Sequence, residues 1–235
     1  MCNEFPNLEI KEAISSIPNT KSLGQDGFSS GLFKTTWQKI GPLICSDARE
    51  FFTKGVMPSH ISDTKLIMLP KVPHPQTASE FKPISCCNVI YKTISKLICQ
   101  RIKEVLPTLI YQSQEAFVKG RELLYNMLIC YDLARGYQRK KISPMCILKI
   151  DLQKAFDSIH WHFLKEFLIA LKFPMTFIKW ILTCVTSVTF SIHLNGQDNE
   201  RFKRGKGLRE GDPLSLLLFV ISIEYLSRLL RVASI

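Results

Sequence analysis

Asp151 is the residue of this 235-residue chain whose setting most favours metal chemistry. It directly follows Met145–Ile150, a run that is apolar except for Lys149, and such a run predicts a buried strand that ends in a carboxylate. Mg²⁺ is commonly held by one or two carboxylates together with phosphate oxygens and water. Two-metal phosphoryl transfer needs ions about 3.5–4 Å apart, which one Asp cannot fix alone. Asp157 is interpreted as a cap of the helix that follows it.

Two groups of basic residues are candidates for binding a polyanion. Lys92, Lys96 and Lys103 fall together on the polar side of a helix expected over Asn88–Val105. The second group lies in an expected hairpin and comprises Arg201, Lys203, Arg204 and Lys206. The net charge of +11 fits a nucleic-acid partner. The alternative for the lysines is an ordinary solvated helix face.

The elements that must position these residues are mostly helical before residue 142 and mixed after it. Apolar spacing predicts helices over residues 8–17, 28–40, 42–54, 88–105, 122–140, 160–171, 175–184 and 213–231. Strands are expected over 64–69 and 145–150, with a hairpin of 188–194 and 201–207 turned at Asn195-Gly196. Pro42 is expected at the first position of its helix, and Asp212 at the N-cap of the last. The fold class is therefore α+β, with a boundary near residue 142.

Cysteine usage and hydropathy narrow the class of protein. The eight cysteines form no Cys-x-x-Cys pair, which favours a reduced, intracellular protein with thiols in its core. The first ten residues lack the apolar segment of a secretory signal. The longest apolar run, Leu214–Ile223, is shorter than the roughly 20 residues that a membrane span needs. We expect no membrane partner.

Five segments, in order along the chain, resemble the motifs of non-LTR retrotransposon reverse transcriptases of the LINE type, with plant elements the most similar. The segments are Gly24–Phe28 (GQDGF), Phe81–Lys92 (FKPISCCNVIYK), Gln114–Arg121 (QEAFVKGR), Lys149–Ser158 (KIDLQKAFDS) and Gly207–Ser215 (GLREGDPLS). The resemblance implies a right-hand polymerase, with mostly helical fingers over 1–141 and a partial palm with a small antiparallel sheet over 142–235. It implies RNA-directed DNA synthesis on an RNA template and DNA primer from deoxynucleotides, with two Mg²⁺ ions, in the nucleus or cytoplasm.

The resemblance also implies roles for individual residues. Asp151 and the Leu152 carbonyl would hold metal, and Phe156 would lie under the incoming sugar and exclude a 2′-hydroxyl. The other expected nucleotide contacts are Lys82 (Arg in the family), the Lys154 and Ala155 backbone, Glu210 and Gly211. Four residues would be template-side or structural, namely Asn88, Tyr91, Lys92 and Arg121. Packing remains an alternative for Phe156, and a turn role for Asp26.

Departures from the family pattern lower the expected activity. A Phe/Tyr-Ala-Asp-Asp motif should follow Ser215 by a few dozen residues, but the chain contains no Asp-Asp pair. Glu210 stands where the family has Gln, and Leu216 where it has Pro. We expect a fragment of a decayed or truncated element that is inactive alone. Two alternatives are a nucleic-acid-binding remnant without catalysis and a product without function that barely folds.

Overall fold

A five-stranded sheet, ten α-helices and one short 3-10 helix (Ala78–Glu80) make up the computed structural model, which describes residues 1–137, 149–194 and 196–233. The helices are α1 (Asn7–Ser15), α2 (Ser30–Thr35), α3 (Trp37–Lys54), α4 (Ser59–Ser62), α5 (Val89–Leu109), α6 (Leu123–Gly136), α7 (Ala155–Ser158), α8 (Trp161–Ala170), α9 (Met175–Thr186) and α10 (Pro213–Ala233). The strands are β1 (Thr64–Pro70), β2 (Phe81–Cys86), β3 (Thr189–Leu194), β4 (Gln197–Asp198) and β5 (Phe202–Lys203). The expected mixture of helices and a small sheet is confirmed.

The sheet is mixed rather than purely antiparallel, which corrects the expected topology. Its strand order is β2-β1-β3-β4, with β5 also on β3. β1 runs antiparallel to β2 but parallel to β3, so that Lys65 lies opposite both Cys86 and Ser191. The sheet thus joins strands from both sides of residue 142. The expected boundary at that residue stays a prediction.

Helix α5 lies at the centre of the core. Its apolar residues recur at helical spacing, and Ile94, Leu97, Ile98 and Ile102 are at most 1% exposed. They pack among the apolar faces of α1, α9 and α10 in one continuous cluster. Five free thiols are buried, as expected, at Cys45, Cys86, Cys87, Cys99 and Cys184. The helical periodicity of this segment is therefore confirmed.

The helices before the sheet divide at a different place from the one expected. The break falls at Thr36 rather than at Gly41, and Pro42 lies inside α3 instead of at its first position. The Thr36 N–H and hydroxyl both bond to the Leu32 carbonyl, which closes α2. α3 then ends at Gly55, whose φ of 65° is left-handed.

The strand expected over Met145–Ile150 lies largely outside the described residues. Its described end, Lys149 and Ile150, is not in a strand, and Ile150 is 55% exposed. Helix α6 has no buried residue, although it is rich in large apolar side chains. Within the described ranges, none of the helices is both long and apolar enough to span a bilayer.

Candidate functional site

Three distant segments line one cavity of about 230 Å³. β2 contributes Lys82, α7 contributes Phe156, and the loop before α10 contributes Arg209 through Asp212. Ser215 and Leu216 of α10 complete the lining. The structure therefore brings together Lys82, Phe156, Glu210 and Gly211, four of the six expected nucleotide contacts. The other two, Lys154 and Ala155, adjoin Phe156 at the start of α7.

The loop before α10 is fastened to β2 by a close backbone approach. The Ser85 N–H donates to the Glu210 carbonyl at 3.3 Å. Gly211 follows with φ of 94°, and a Cβ there would lie 3.2 Å from the Ser85 carbonyl oxygen. A side chain at residue 211 would thus be both strained and crowded. Glycine at this position lets the loop lie against the strand that carries Lys82.

The same loop is fastened to α7. The Leu208 N–H donates to the Phe156 carbonyl at 2.9 Å, and the Gly207 N–H donates to the Ile159 carbonyl at 2.8 Å. The Phe156 ring packs against Phe219 of α10, with 5.2 Å between ring centroids. Phe156 is therefore held by the core on one side while it lines the cavity on another.

Lys82 and Glu210 form an ion pair at the cavity. The Lys82 Nζ lies 3.4 Å from the Glu210 Oε2, and the two side chains are 54% and 37% exposed. An exposed pair of this kind is worth little free energy because water competes for both groups. The pair can therefore open.

Arg209 lines the cavity, and sequence reasoning gave it no role. It is 4% exposed and forms a 3.3 Å ion pair with Asp212, and its guanidinium carbon lies 3.8 Å above the Tyr91 ring centroid. It also donates to the Thr64 hydroxyl at 2.9 Å and to the Cys184 carbonyl at 3.0 Å. The sequence feature that could have indicated this ion pair is the spacing of three residues between Arg209 and Asp212 at the start of a helix.

Asp212 caps α10 as expected and also joins that helix to α5. Its Oδ1 accepts from the Leu214 N–H at 2.9 Å and from the Ser95 hydroxyl. Its Oδ2 accepts from the Tyr91 hydroxyl at 2.5 Å. Burial raises the pKa of Tyr91 well above its usual range, so that this hydroxyl stays a donor. Burial acts to lower the pKa of Arg209, but Tyr91, Cys87 and Asp212 outweigh it and raise that pKa.

The described residues do not by themselves complete a two-ion magnesium site. Asp151 and Leu152 are exposed and do not line the cavity. Asp157 lies inside α7 and pairs with Arg204. Its expected role as a cap of the following helix is wrong, because the N-cap of α8 is His160. Among the described residues, no three His, Cys, Asp or Glu side chains cluster as a metal site would require. A lone exposed carboxylate cannot hold two ions about 4 Å apart.

Lys92 is almost completely buried, which corrects its expected place on a basic surface. It is 5% exposed, burial lowers its pKa, and its Nζ donates to the Ser22 carbonyl at 2.6 Å. The turn after Ser22 covers this face of α5: the Asp26 carboxylate accepts from the Phe28 N–H and from the Asn88 side chain. The turn role of Asp26 is confirmed. Asn88 in turn caps α5 through the Ile90 N–H.

Arg121 is half-buried and makes structural contacts with the backbone. Its guanidinium donates to four backbone carbonyls at the end of α5 and just beyond, those of Pro107, Ile110, Tyr111 and Gln114. In the hairpin, Arg201 pairs with Asp63 at 2.8 Å. Lys203 and Lys206 are exposed, as is Lys103 on α5. Lys96 is half-buried, and its Nζ donates to the Ser16 carbonyl at 2.9 Å.

Comparison with known proteins identifies the family. Residues 69–234 match the profile described as reverse transcriptase (RNA-dependent DNA polymerase). The chain is 30% identical over 223 residues to the transposon TX1 uncharacterized 149 kDa protein of Xenopus laevis, a match that covers 95% of this chain and 17% of that protein.

Two further relatives are retrovirus-related Pol polyproteins of R2 retrotransposable elements. The one from Nasonia vitripennis is 26% identical over 213 residues, covering 91% of this chain and 20% of the relative. The one from Drosophila melanogaster, R2DM, is 25% identical over 176 residues, covering 75% of this chain and 16% of the relative. The chain thus spans about a fifth of the length of these relatives. It belongs to the reverse transcriptase (RNA-dependent DNA polymerase) family, of the non-LTR retrotransposon type.

Proposed function

We propose that this chain forms the nucleotide-binding part of an RNA-directed DNA polymerase that extends a DNA primer along an RNA template. One observation carries the proposal: Lys82, Phe156 and the Glu210-Gly211 loop, far apart in sequence, line a single cavity. A nucleotide in that cavity would meet a cation for its phosphates and an aromatic ring for its sugar. Concave sites in which charged and polar groups converge beside an aromatic side chain are candidates for small-molecule binding.

The proposal gives Asp151 one carboxylate role in metal-dependent synthesis and expects the 235-residue chain to be inactive by itself. The reason is that the chain contains no Asp-Asp pair. Primer extension on an RNA template with Mg²⁺ tests this. The wild-type chain is compared with a completed chain, in which a family-consensus segment carrying the Asp-Asp pair is joined after Ile235.

We expect incorporation of deoxynucleotides by the completed chain only, and its loss in the Asp151→Asn variant of that chain. Asp47→Asn, in the middle of α3, is the matched control and should keep the activity. Activity of the completed chain that survives Asp151→Asn would contradict the assignment. Extension by the unmodified chain would contradict the expected inactivity.

A second candidate function is nucleic-acid binding without catalysis, and a cluster of lysines at the end of α1 favours it. Lys34 Nζ lies 2.6 Å from the Ile17 carbonyl, and Lys96 Nζ lies 2.9 Å from the carbonyl of the preceding residue, Ser16. Two ammonium groups are thus held next to each other. Burial lowers the pKa of Lys96, and Lys103, Lys34 and Lys21 lower it further, which places all four cations within electrostatic reach. A phosphate backbone would relieve this repulsion.

The salt dependence of RNA and DNA binding tests this candidate. Each neutralised phosphate contributes a log–log slope of about −0.7 to −0.9. A triple alanine variant at Lys34, Lys96 and Lys103 should therefore flatten the slope by about two to three units. The control, with alanine at the exposed residues Lys71, Lys119 and Lys165, removes the same charge and should leave the slope unchanged. Equal slopes in both triple variants would mean that the lysine cluster is an ordinary solvated surface with no role in nucleic-acid binding.

A further inference from the structure

We propose that Glu210 is an internal competitor for Lys82. The Glu210 carboxylate pairs with the Lys82 ammonium in the cavity wall, and a phosphate-bearing ligand can bind this ammonium only after displacing the carboxylate. The inference rests on the proposed nucleotide site and adds how access to that site is limited. It identifies Glu210 as the residue that sets the affinity for the ligand's phosphates.

The backbones that carry the two side chains are fixed, whereas the side chains are not. Lys82 lies in β2 opposite Leu69 of β1, and the Glu210 carbonyl accepts from the Ser85 N–H of the same strand β2. The 3.4 Å contact therefore follows from the packing of the loop on the strand. Because both side chains are more than a third exposed, the pair can separate without disturbing the fold.

Lys82 is the cation of this cavity that a ligand can reach. The other one, Arg209, is 4% exposed and committed to Asp212, Thr64 and the Cys184 carbonyl. The four charged side chains that line the cavity are two cations and two carboxylates, so their formal charges cancel. The lining therefore exerts no net electrostatic attraction on a triphosphate while the Glu210 carboxylate is paired with Lys82. Separation of the pair leaves an ammonium that can bind a phosphate group.

A lysine, rather than an arginine, faces the Glu210 carboxylate in this pair. An Arg would grip the carboxylate with a bidentate fork, whereas the Lys ammonium is a single, strongly hydrated charge that is easier to release. A Lys–Glu pair is therefore suited to hold the ammonium in place and still release it to a ligand.

Isothermal titration of the 235-residue chain with dTTP, and separately with inorganic triphosphate, tests the inference without any need for catalysis. Glu210→Gln keeps the side-chain shape and removes the charge. We expect it to tighten binding of both ligands about three- to ten-fold, because it removes the competitor for the Lys82 ammonium. Glu50→Gln is the matched control, since Glu50 also pairs with an exposed lysine but lies in α3. It should leave both affinities unchanged.

A second background separates competition for Lys82 from a general effect of charge. In a Lys82→Met chain the Glu210→Gln substitution should change affinity less than two-fold, because there is no ammonium left to release. Unchanged affinity in Glu210→Gln, or an equal gain in the Lys82→Met background, would overturn the inference while leaving a nucleotide site in place. No binding of either ligand to any variant would overturn the inference and remove the proposed site with it.

Discussion

Asp212 connects three parts of the chain through one carboxylate. It caps α10, pairs with Arg209 in the loop, and accepts hydrogen bonds from Tyr91 and Ser95 of α5. Because Arg209 and Asp212 are both under 8% exposed, removal of one partner leaves the other charged and buried. The lining of the cavity therefore depends in part on this buried pair.

We expect Asp212→Ala to destabilise the protein by about 3–5 kcal/mol, since it strands the Arg209 guanidinium and removes the helix cap. Urea unfolding followed by circular dichroism measures the change. Glu50→Ala, which breaks the exposed pair with Lys54, should cost at most about 1 kcal/mol. Comparable losses in the two variants would mean that the buried network is not a stabilising element.

Phe156 combines a packed side and a cavity side, so its two interpretations are not exclusive. In the completed chain, Phe156→Val should reduce discrimination against ribonucleotides by about ten-fold or more, because the bulk that meets a 2′-hydroxyl is gone. The measurement is the ratio of kcat/KM for deoxy- and ribonucleotides. Glu210→Gln serves as the control, because it changes phosphate affinity without changing sugar choice. An unchanged ratio in Phe156→Val would assign the residue to packing alone.

At the scale of single residues, sequence reasoning succeeded where the partner is local. Asp26 and Asp212 both bond to backbone N–H groups two residues on, so the neighbouring sequence was sufficient to predict their roles. The predictions for Lys92 and Asp157 were wrong because their partners are distant in the sequence. Their partners, the Ser22 carbonyl and Arg204, lie 70 and 47 residues away. A helical wheel cannot show which segment covers a face.

At the scale of elements, periodicity predicted the long helices and β1, but it missed β2. Pro83 argues against a central strand because proline cannot donate to a ladder. β2 lies at the end of the strand order, where one side of the strand needs no partner, and there Pro83 is tolerated opposite Met68. The edge position that resolves the conflict is a property of the assembled sheet.

Helix α6 presents an unusually apolar exposed surface. Leu124 and Leu128 are 59% and 54% exposed, and no residue of this helix is buried. Large exposed apolar patches promote association. We expect the chain to bind a hydrophobic dye and to self-associate as its concentration rises in sedimentation velocity experiments. The Leu124→Glu/Leu128→Glu variant should lower both signals by about half or more.

Leu43→Glu provides the comparison, because Leu43 is 65% exposed on α3, away from α6. It should leave dye binding and sedimentation close to those of the wild type. If the two variants behave alike, the association does not come from α6.

At the scale of the whole molecule, four of the five family segments meet although the chain separates them. The Gly24–Phe28 segment contacts Asn88, the Phe81–Lys92 segment contacts Glu210 and Asp212, and the Gly207–Ser215 segment contacts Phe156. The sequence predicted which residues to compare with the family. It could not predict the Lys82–Glu210 pair, because only the packing of the loop on β2 creates it.

Photo-crosslinking of an azido-dATP to the 235-residue chain tests most directly whether these segments form one nucleotide site. The labelled peptides, mapped by mass spectrometry, should contain Lys82, residues 154–158 and residues 207–216. Unlabelled dATP should suppress the labelling. Labelling outside these three segments, or labelling that excess dATP does not reduce, would contradict the proposed site.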